Sequence, residues 1–377
     1  MQKIKIAWVN PSSLDYRVPV YAKLNELSED GLHVIYSASR TPVRVHCKIT
    51  KEIGYNAIPL HFEKSLYFGD LQSDLSNKSY RIPYPKQLYK HLKKIKPDVV
   101  IAEGFFQWTL YALIYSIFHN KKIYISYERT KYTERNCGKV RTLYRVLIAK
   151  LAAGFLVNGD LTKEYCTDIL NIKNNKIITK CMAAGNFNVL PAVPEKKEFG
   201  KVRFLFVGQL VARKGLREFL DVICGNRDEL RTMIQINIVG EGPESANLKG
   251  LCQRNELDFV NFIGSVEHDN ISLEYYSNDV FFLPTLEDNW SLVIPEAMAH
   301  RLPVATTPYN GCHKELIQHK RNGYVFDIKT GESVMEMIRF FILNREQFRE
   351  MGRVSHEIQN HYTAEKVANR IFDFVCA

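Results

Sequence analysis

Leu283 to Thr307 read LPTLEDNWSLVIPEAMAHRLPVATT. The apolar run VFFLP leads into this stretch, and a loop of acidic and small polar residues follows. A helix then starts near Leu292, with a second apolar run, LPV, behind it. Strand, loop, helix and strand in that order is the unit from which parallel α/β sheets are built. At the C-terminal edge of such a sheet the junction turns free backbone N–H groups and the positive end of a helix dipole toward a ligand. Asp288 lies in the loop, and Glu296, eight residues on, about a turn into the helix. The two carboxylates can therefore face one ligand from two levels, and a carboxylate grips vicinal hydroxyls because it accepts two strong hydrogen bonds.

The same alternation runs along the whole chain. Short apolar runs predict strands at Ile4–Val9, His33–Ser37, Val99–Ala102, Ile123–Ser126 and Phe155–Val157. Helical periodicity predicts helices at Val18–Glu29, Pro85–Ile95, Thr109–Phe118, Val140–Leu151 and Leu161–Leu170 between them. A second series of strands follows at Arg203–Val207, Ile234–Val239, Val260–Ile263, Val280–Leu283, Val304–Ala305 and Tyr324–Phe326. Periodicity is lost across Asn186–Gly200, whose two prolines and charged cluster mark a linker. With 377 residues, more than one hydrophobic core usually serves, two domains are expected: 1–188, and 200–355, with a last helical segment, 356–377, packing back toward the first. Two doubly wound sheets joined in this way place a ligand cleft between them.

At this point the sequence resembles a known family. The Leu283–Thr307 segment is similar to the E-x7-E region of glycosyltransferase family 4, the glycosyl transferases group 1, whose members are retaining enzymes with the GT-B fold of two Rossmann-like domains facing a central cleft. The resemblance implies that Asp288, Asn289, Trp290, Ser291 and Leu292 meet the donor sugar and phosphate, and that Glu296 holds the ribose. Asp288 stands where the family has Glu, and Glu287 precedes it, so a one-residue shift would hand Glu287 the role. Arg301 occupies a place the family gives to a small residue, at a cost of roughly 1 kcal/mol if the backbone there is left-handed.

Lys201 to Asp221, KVRFLFVGQLVARKGLREFLD, resembles the opening strand, loop and helix of the family's donor domain. There Lys214, with Arg213 beside it, would neutralise the donor diphosphate, while Gly208 and Gln209 line the loop; Gln209 replaces a common Arg. Cations are needed because the nucleotide leaves with added negative charge. IVGEGPE, from Ile238, supplies Gly240 at a turn beside the nucleotide but lacks the third glycine of a dinucleotide fingerprint. A purely structural turn reads equally well there.

Toward the N-terminus the resemblance thins. The family's glycine-rich loop is represented by NPSS, where Ser12 and Ser13 would let backbone approach a ligand, and Arg17 and Tyr21 follow as acceptor contacts. Glu128, just after the strand KIYIS, stands where many members have His and would orient the acceptor or a sugar hydroxyl. Glu103 ends another strand and reads equally as a buried pair.

Charge is unevenly spread. Residues 1–190 hold 29 Lys and Arg against 15 Asp and Glu, and residues 191–377 hold 22 against 26. The basic half implies an anionic partner. Two stretches carry it: KQLYKHLKKIK, and KVRTLYRVLIAKLAAG, where Lys139, Arg141, Arg145 and Lys150 surround Val140, Leu143, Tyr144 and Leu147. Such helices suit an anionic membrane surface, or else pack their apolar face as core. Eight scattered cysteines without a C-x-x-C pair read as free thiols. The apolar tract Trp108–Phe118 is too short to span a bilayer, and the N-terminus lacks a signal peptide's length.

The expectation is a cytoplasmic enzyme, peripheral on the inner face of the membrane, with a UDP- or GDP-linked donor and a saccharide or lipid-linked acceptor in polysaccharide biosynthesis. No cofactor is expected, and no metal, since no D-x-D motif stands in strand context. No nucleic-acid motif is present. The competing readings are a non-enzymatic nucleotide-sugar or nucleic-acid-binding protein of the same fold, and another GT-B enzyme, an epimerase or phosphorylase.

Overall fold

The computed structural model describes residues 4–69, 79–105, 108–183, 200–267 and 270–377. The predicted linker Asn186–Gly200 lies outside them except for its last residue. The chain divides into two compact units: Met1–Asn186 with Tyr362–Ala377, and Phe187–His361.

In the first unit the strands are β1 (Ile6–Val9), β2 (Leu32–Ser37), β3 (Ala57–Leu60), the hairpin β4 (Glu63–Gly69) and β5 (Ser79–Pro85), β6 (Val99–Glu103), β7 (Lys122–Tyr127), β8 (Gly154–Val157) and β9 (Ile177–Ile178). All but the hairpin form one sheet in the order β3-β2-β1-β6-β7-β8-β9, every pairing parallel. A parallel sheet must be covered on both faces, and residue alternation along β1 shows how. Ala7 and Val9 join a core with α3 (Leu88–Ile95), α4 (Thr109–Phe118), α5 (Lys139–Leu151) and α6 (Asp160–Asp168). Ile6 and Trp8 face the other core, with α1 (Val18–Leu27) and α2 (Val43–Ile53).

The second unit repeats the plan with β10 (Val202–Val207), β11 (Ile234–Val239), β12 (Val260–Gly264), β13 (Val280–Leu283), β14 (Val304–Thr306) and β15 (Gly323–Val325). Their order is β12-β11-β10-β13-β14-β15, again parallel throughout. Its helices are α7 (Leu216–Gly225), α8 (Arg227–Leu230), α9 (Ser245–Arg254), α10 (Ile271–Ser277), α11 (Val293–Ala299), α12 (His313–Leu316), α13 (Gly331–Leu343) and α14 (Phe348–Gln359). The core is rich in phenylalanine: Phe219 packs on Phe282 with ring centroids 4.6 Å apart, and Phe204 meets Phe341 of α13 edge-on.

Of the two closing helices, α14 packs against α11 in the second unit. The last, α15 (Ala364–Cys376), returns to the first, where Val367, Ala368, Ile371 and Val375 are buried with α1. Its N-cap is Thr363, whose side chain accepts the Lys366 N–H, satisfying one of the orphan donors of the first turn. This is the doubly wound α/β class expected from the alternation of runs.

Candidate active site

In both sheets the strand order reverses beside the first strand of the unit, and such a switch point opens a crevice at the carboxyl ends of the strands. In the second unit it lies between β10 and β13. The loop after β10 and the loop after β13 are stapled together there. The Arg213 carbonyl accepts the Leu286 N–H at 2.8 Å and the Thr285 hydroxyl at 3.0 Å. Gly215 lets them close: its φ is +70°, and a Cβ there would sit 2.0 Å from the Pro284 carbonyl oxygen.

The stapling brings two cations onto one acid. Lys214 Nζ donates to Asp288 Oδ2 at 2.6 Å, and Arg213 Nη1 reaches the same oxygen at 3.3 Å. Arg213 also meets the Glu287 carbonyl at 3.3 Å, and Asp288 presents its carboxylate to both cations. Burial pushes the Asp288 carboxyl up, but the Lys214 charge and hydrogen bond, the Ser291 hydroxyl and the Arg213 charge outweigh it, and it titrates below its ordinary value. The Trp290 N–H turns back onto Asp288 Oδ1 at 3.3 Å. The peptide of Asp288 is fixed as well, its N–H on the Tyr309 carbonyl and its carbonyl on the Gly311 N–H. Next to it, the Asn289 side-chain oxygen is buried with no hydrogen-bond partner among the described residues, an acceptor left for a ligand to satisfy.

Glu296 sits in the first turn of α11 with neighbours of its own. Burial raises its carboxyl to about 7, a shift that the nearby Tyr275 hydroxyl opposes. Tyr275 is fully buried on α10 and stacks on His300, centroids 4.7 Å apart and planes 16° from parallel. His300 in turn meets the Glu296 carbonyl through Nδ1 at 2.8 Å and the Ser272 hydroxyl through Nε2 at 3.0 Å. A carbonyl only accepts, so Nδ1 carries the proton; burial lowers the His300 pKa, which leaves Nε2 to accept from Ser272. Tyr275 and His300 were not among the expected site residues. His300 lies four residues after Glu296, one helical turn away, so its placement could be read from spacing; Tyr275 comes from a separate helix and could not.

The remaining expected residues are placed as follows. Gly208 and Gly240 touch backbone to backbone, since a Cβ on Gly240 would lie 1.9 Å from the Gly208 oxygen. Gln209, just after β10, is exposed, and Leu292, the N-cap of α11, is half-buried. In the first unit Ser13 is fully buried, its hydroxyl on the Asn10 carbonyl, while the Ser12 N–H closes a turn on the Asn10 side chain. Glu128 follows β7, its carbonyl accepting from Thr162 and its charge felt by Tyr16 and Arg17. Arg17 and Tyr21, expected as acceptor contacts, are both buried. Arg17 is buried on Ser126, the Cys181 carbonyl and Glu103, and Tyr21 is buried against Asn10. Glu103 thus takes its paired reading, holding Arg17 and the Trp8 indole N–H. All eight cysteines are free, and no helix among the described residues is long and apolar enough to cross a membrane.

Residues 192–357 match the family model of glycosyl transferases group 1. The chain carries a glycosyl transferases group 1 domain. The chain is 26% identical over 284 residues to an uncharacterized glycosyltransferase of Haemophilus influenzae, covering 75% of this chain and 77% of that one. It is 30% identical over 189 residues to another of Methanocaldococcus jannaschii, 47% of each chain. Among solved structures, HepE of Anabaena in complex with UDP superposes with a TM-score of 0.75 at 14% identity, over 99% of this chain and all of that one. A glycosyltransferase of Rickettsia africae gives 0.72 at 14%, over 100% and 98%. The chain therefore has the GT-B fold, including the half that the family model does not reach.

Proposed function

We propose that this glycosyltransferase moves a sugar from a UDP- or GDP-linked donor to a hydroxyl of a saccharide or lipid-linked acceptor, with retention at the anomeric carbon, in polysaccharide or surface-glycan assembly at the cytoplasmic face of a membrane. The observation that carries the reading is the meeting of Lys214 and Arg213 with Asp288 at the switch point of the second sheet.

In this reading the donor diphosphate takes Lys214 and Arg213 from Asp288, which is freed to accept from a sugar hydroxyl. Glu296 accepts from the ribose, and Asn289 and the amides near Trp290 hold the sugar and phosphate. As the bond from the anomeric carbon to phosphate oxygen breaks, the cations stabilise the departing nucleoside diphosphate. The acceptor oxygen bonds to that carbon from the same face, and its proton passes to the leaving phosphate. Lys214 and Arg213 supply the positive charge, so no divalent cation is required. Glu128 and Ser12 of the first unit serve the acceptor.

UDP in the HepE structure supports the donor class. Thermal shift and slow hydrolysis with UDP-, GDP- and ADP-sugars test the donor, and NMR of the product's anomeric proton tests retention. Absence of binding and of turnover across the panel would remove the reading.

A further inference from the structure

Asp288 keeps its place because a second loop holds it. Past the carboxyl ends of β13 and β14 the two segments pair once more, Asp288 against Asn310 in a single parallel bridge. Asn310 is fully buried, and so are Thr306, the last residue of β14, and Cys312. A buried side-chain amide must place both its donor and its acceptor, and here each has a partner. Asn310 Nδ2 donates to the Thr306 hydroxyl at 3.2 Å, and that hydroxyl donates to the Leu283 carbonyl at 3.1 Å. Asn310 Oδ1 accepts from the Cys312 N–H at 3.4 Å and from the Cys312 thiol at 3.1 Å.

The partners fix which way the amide faces. A carbonyl only accepts, so the Thr306 hydrogen is committed to Leu283 and its oxygen is left to take a donor. A backbone N–H only donates, so Cys312 needs the Asn310 oxygen. Burial raises the Cys312 pKa and keeps the thiol protonated as a donor, while the Ser291 backbone opposes that rise. The thiol therefore lies against the loop that carries Asp288. A chain of bonds from Leu283 through Thr306 and Asn310 to Cys312 thus spans from β13 to the loop that leaves the same strand. The neighbours of Asn310 complete the clamp. The Tyr309 carbonyl accepts the Asp288 N–H at 3.2 Å, and the Gly311 N–H donates to the Asp288 carbonyl at 2.9 Å.

We infer that Asn310 is a positioning residue for Asp288: by locking residues 307–312 it sets the carboxylate where Lys214 and Arg213 reach it. Asn310 has no exposed surface, so it acts through Asp288 rather than on a ligand. The expected effect on turnover rests on the proposed role of Asp288 toward the donor, whereas the effect on the ion pair does not.

The test compares Asn310→Ala and Thr306→Val with Asn322→Ala. Asn322 is equally buried and bonded on both sides, but it precedes β15 at the amino end of the strands, away from the site. All three variants are expected to melt below the parent. The first arm uses no nucleotide. Lys214→Ala, Asp288→Asn and their double variant are melted in the parent and in each of the three backgrounds. Their departure from additivity should be largely lost with Asn310→Ala or Thr306→Val and retained with Asn322→Ala. The second arm uses a nucleotide sugar that the parent turns over. There kcat/KM should fall about 10- to 100-fold in Asn310→Ala and Thr306→Val, the scale of a misplaced group, and hold in Asn322→Ala. With Asp288→Asn already present, Asn310→Ala should cause no further loss. Coupling of Lys214 to Asp288 that survives in both the Asn310→Ala and Thr306→Val backgrounds overturns the inference. So does an equal fall in kcat/KM with and without the Asp288 carboxylate. Where one of the two variants fails to fold, the other decides. Should the parent turn over no nucleotide sugar, the functional reading falls and the melting arm still decides the role of Asn310.

Discussion

Lys214 Nζ and Asp288 Oδ2 stand 2.6 Å apart, two loops drawn together over the point where the second sheet reverses its order. Without a donor the cation and the acid satisfy each other in a site largely removed from water, so neither charge is stranded. In the proposed function a diphosphate would have to offer Lys214 a better partner, and a sugar hydroxyl would then have to offer Asp288 one. Donor phosphate and donor sugar would thereby be coupled through one ion pair.

Removal of the cation tests that coupling. Lys214→Ala leaves Asp288 with Arg213 alone and takes a positive charge from the departing phosphate; turnover is expected to fall at least about 100-fold, the scale of losing one preorganised charge-stabilising donor. Far-UV circular dichroism should be unchanged. Lys214→Ala, Asp288→Asn and the double variant form a cycle in which the two losses of stability are less than additive, by about 1–3 kcal/mol. Strict additivity in melting experiments would mean that the pair is not coupled. Turnover of parent and variant in EDTA is expected to match turnover without it.

Glu296 carries a pH signature. Its carboxyl is raised to about 7 from an ordinary 4.5, so between those values the folded chain holds a proton that the unfolded chain has released. Stability from this group is complete below about pH 4.5 and is lost as pH rises through 7, an effect of up to about 3 kcal/mol. Glu296→Gln should flatten that part of the stability curve. If the ribose is bound by the charged carboxylate, the donor KM should fall as pH rises through 7 in the parent and stay level in Glu296→Gln.

Gly215 offers a steric test. At φ +70° with the Pro284 oxygen 2.0 Å from any Cβ, Gly215→Ala must either part the two loops or distort them. A loss of about 2–3 kcal/mol is expected, together with weakened donor binding, since the staple that seats Lys214 on Asp288 would open. An alanine variant of parent stability and parent affinity would contradict this account of the loops.

Arg301 gives the opposite sign. It closes α11 with φ +58°, where a Cβ is unfavourable by about 1–2 kcal/mol and where glycine is the common residue. Arg301→Gly should raise the melting temperature, the gain reduced by glycine's freer unfolded state. A fall would show that the Arg301 side chain contributes more than its backbone strain costs.

Much of this was legible in local sequence. Strand β13 falls at the residues its apolar run implies, because a parallel strand buried on both faces is apolar throughout, and β11 does so through isoleucines alternating with Gln235 and Asn237. The Asp288 and Glu296 loop and helix were legible for the same reason, lying between two such runs. Helix α2 was not foreseen, although Val45, Ile49 and Ile53 recur at its buried face; polar residues around them hide the period. For α5 the sequence left two readings open, an apolar face turned to a membrane or packed as core. Periodicity identifies the apolar side of a helix and assumes that this side turns inward. Here Glu134 and Tyr165, from other segments, give Arg145 a buried seat, and that pairing is invisible in the helix's own residues. The burial of Arg17 was hidden likewise, because its partners Glu103, Ser126 and Cys181 are far away in sequence.

The return of α15 to the first unit has a consequence for biosynthesis. As the chain leaves the ribosome, the first unit cannot seal the side of its sheet that holds Trp8 and Tyr21 until residues 364–376 arrive, because Val367, Ala368 and Ile371 complete that layer. The second unit is continuous, from Phe187 to His361, and is the one that can be finished first. The unit that comes first along the chain is therefore completed after the second, its apolar flank open until α15 is made.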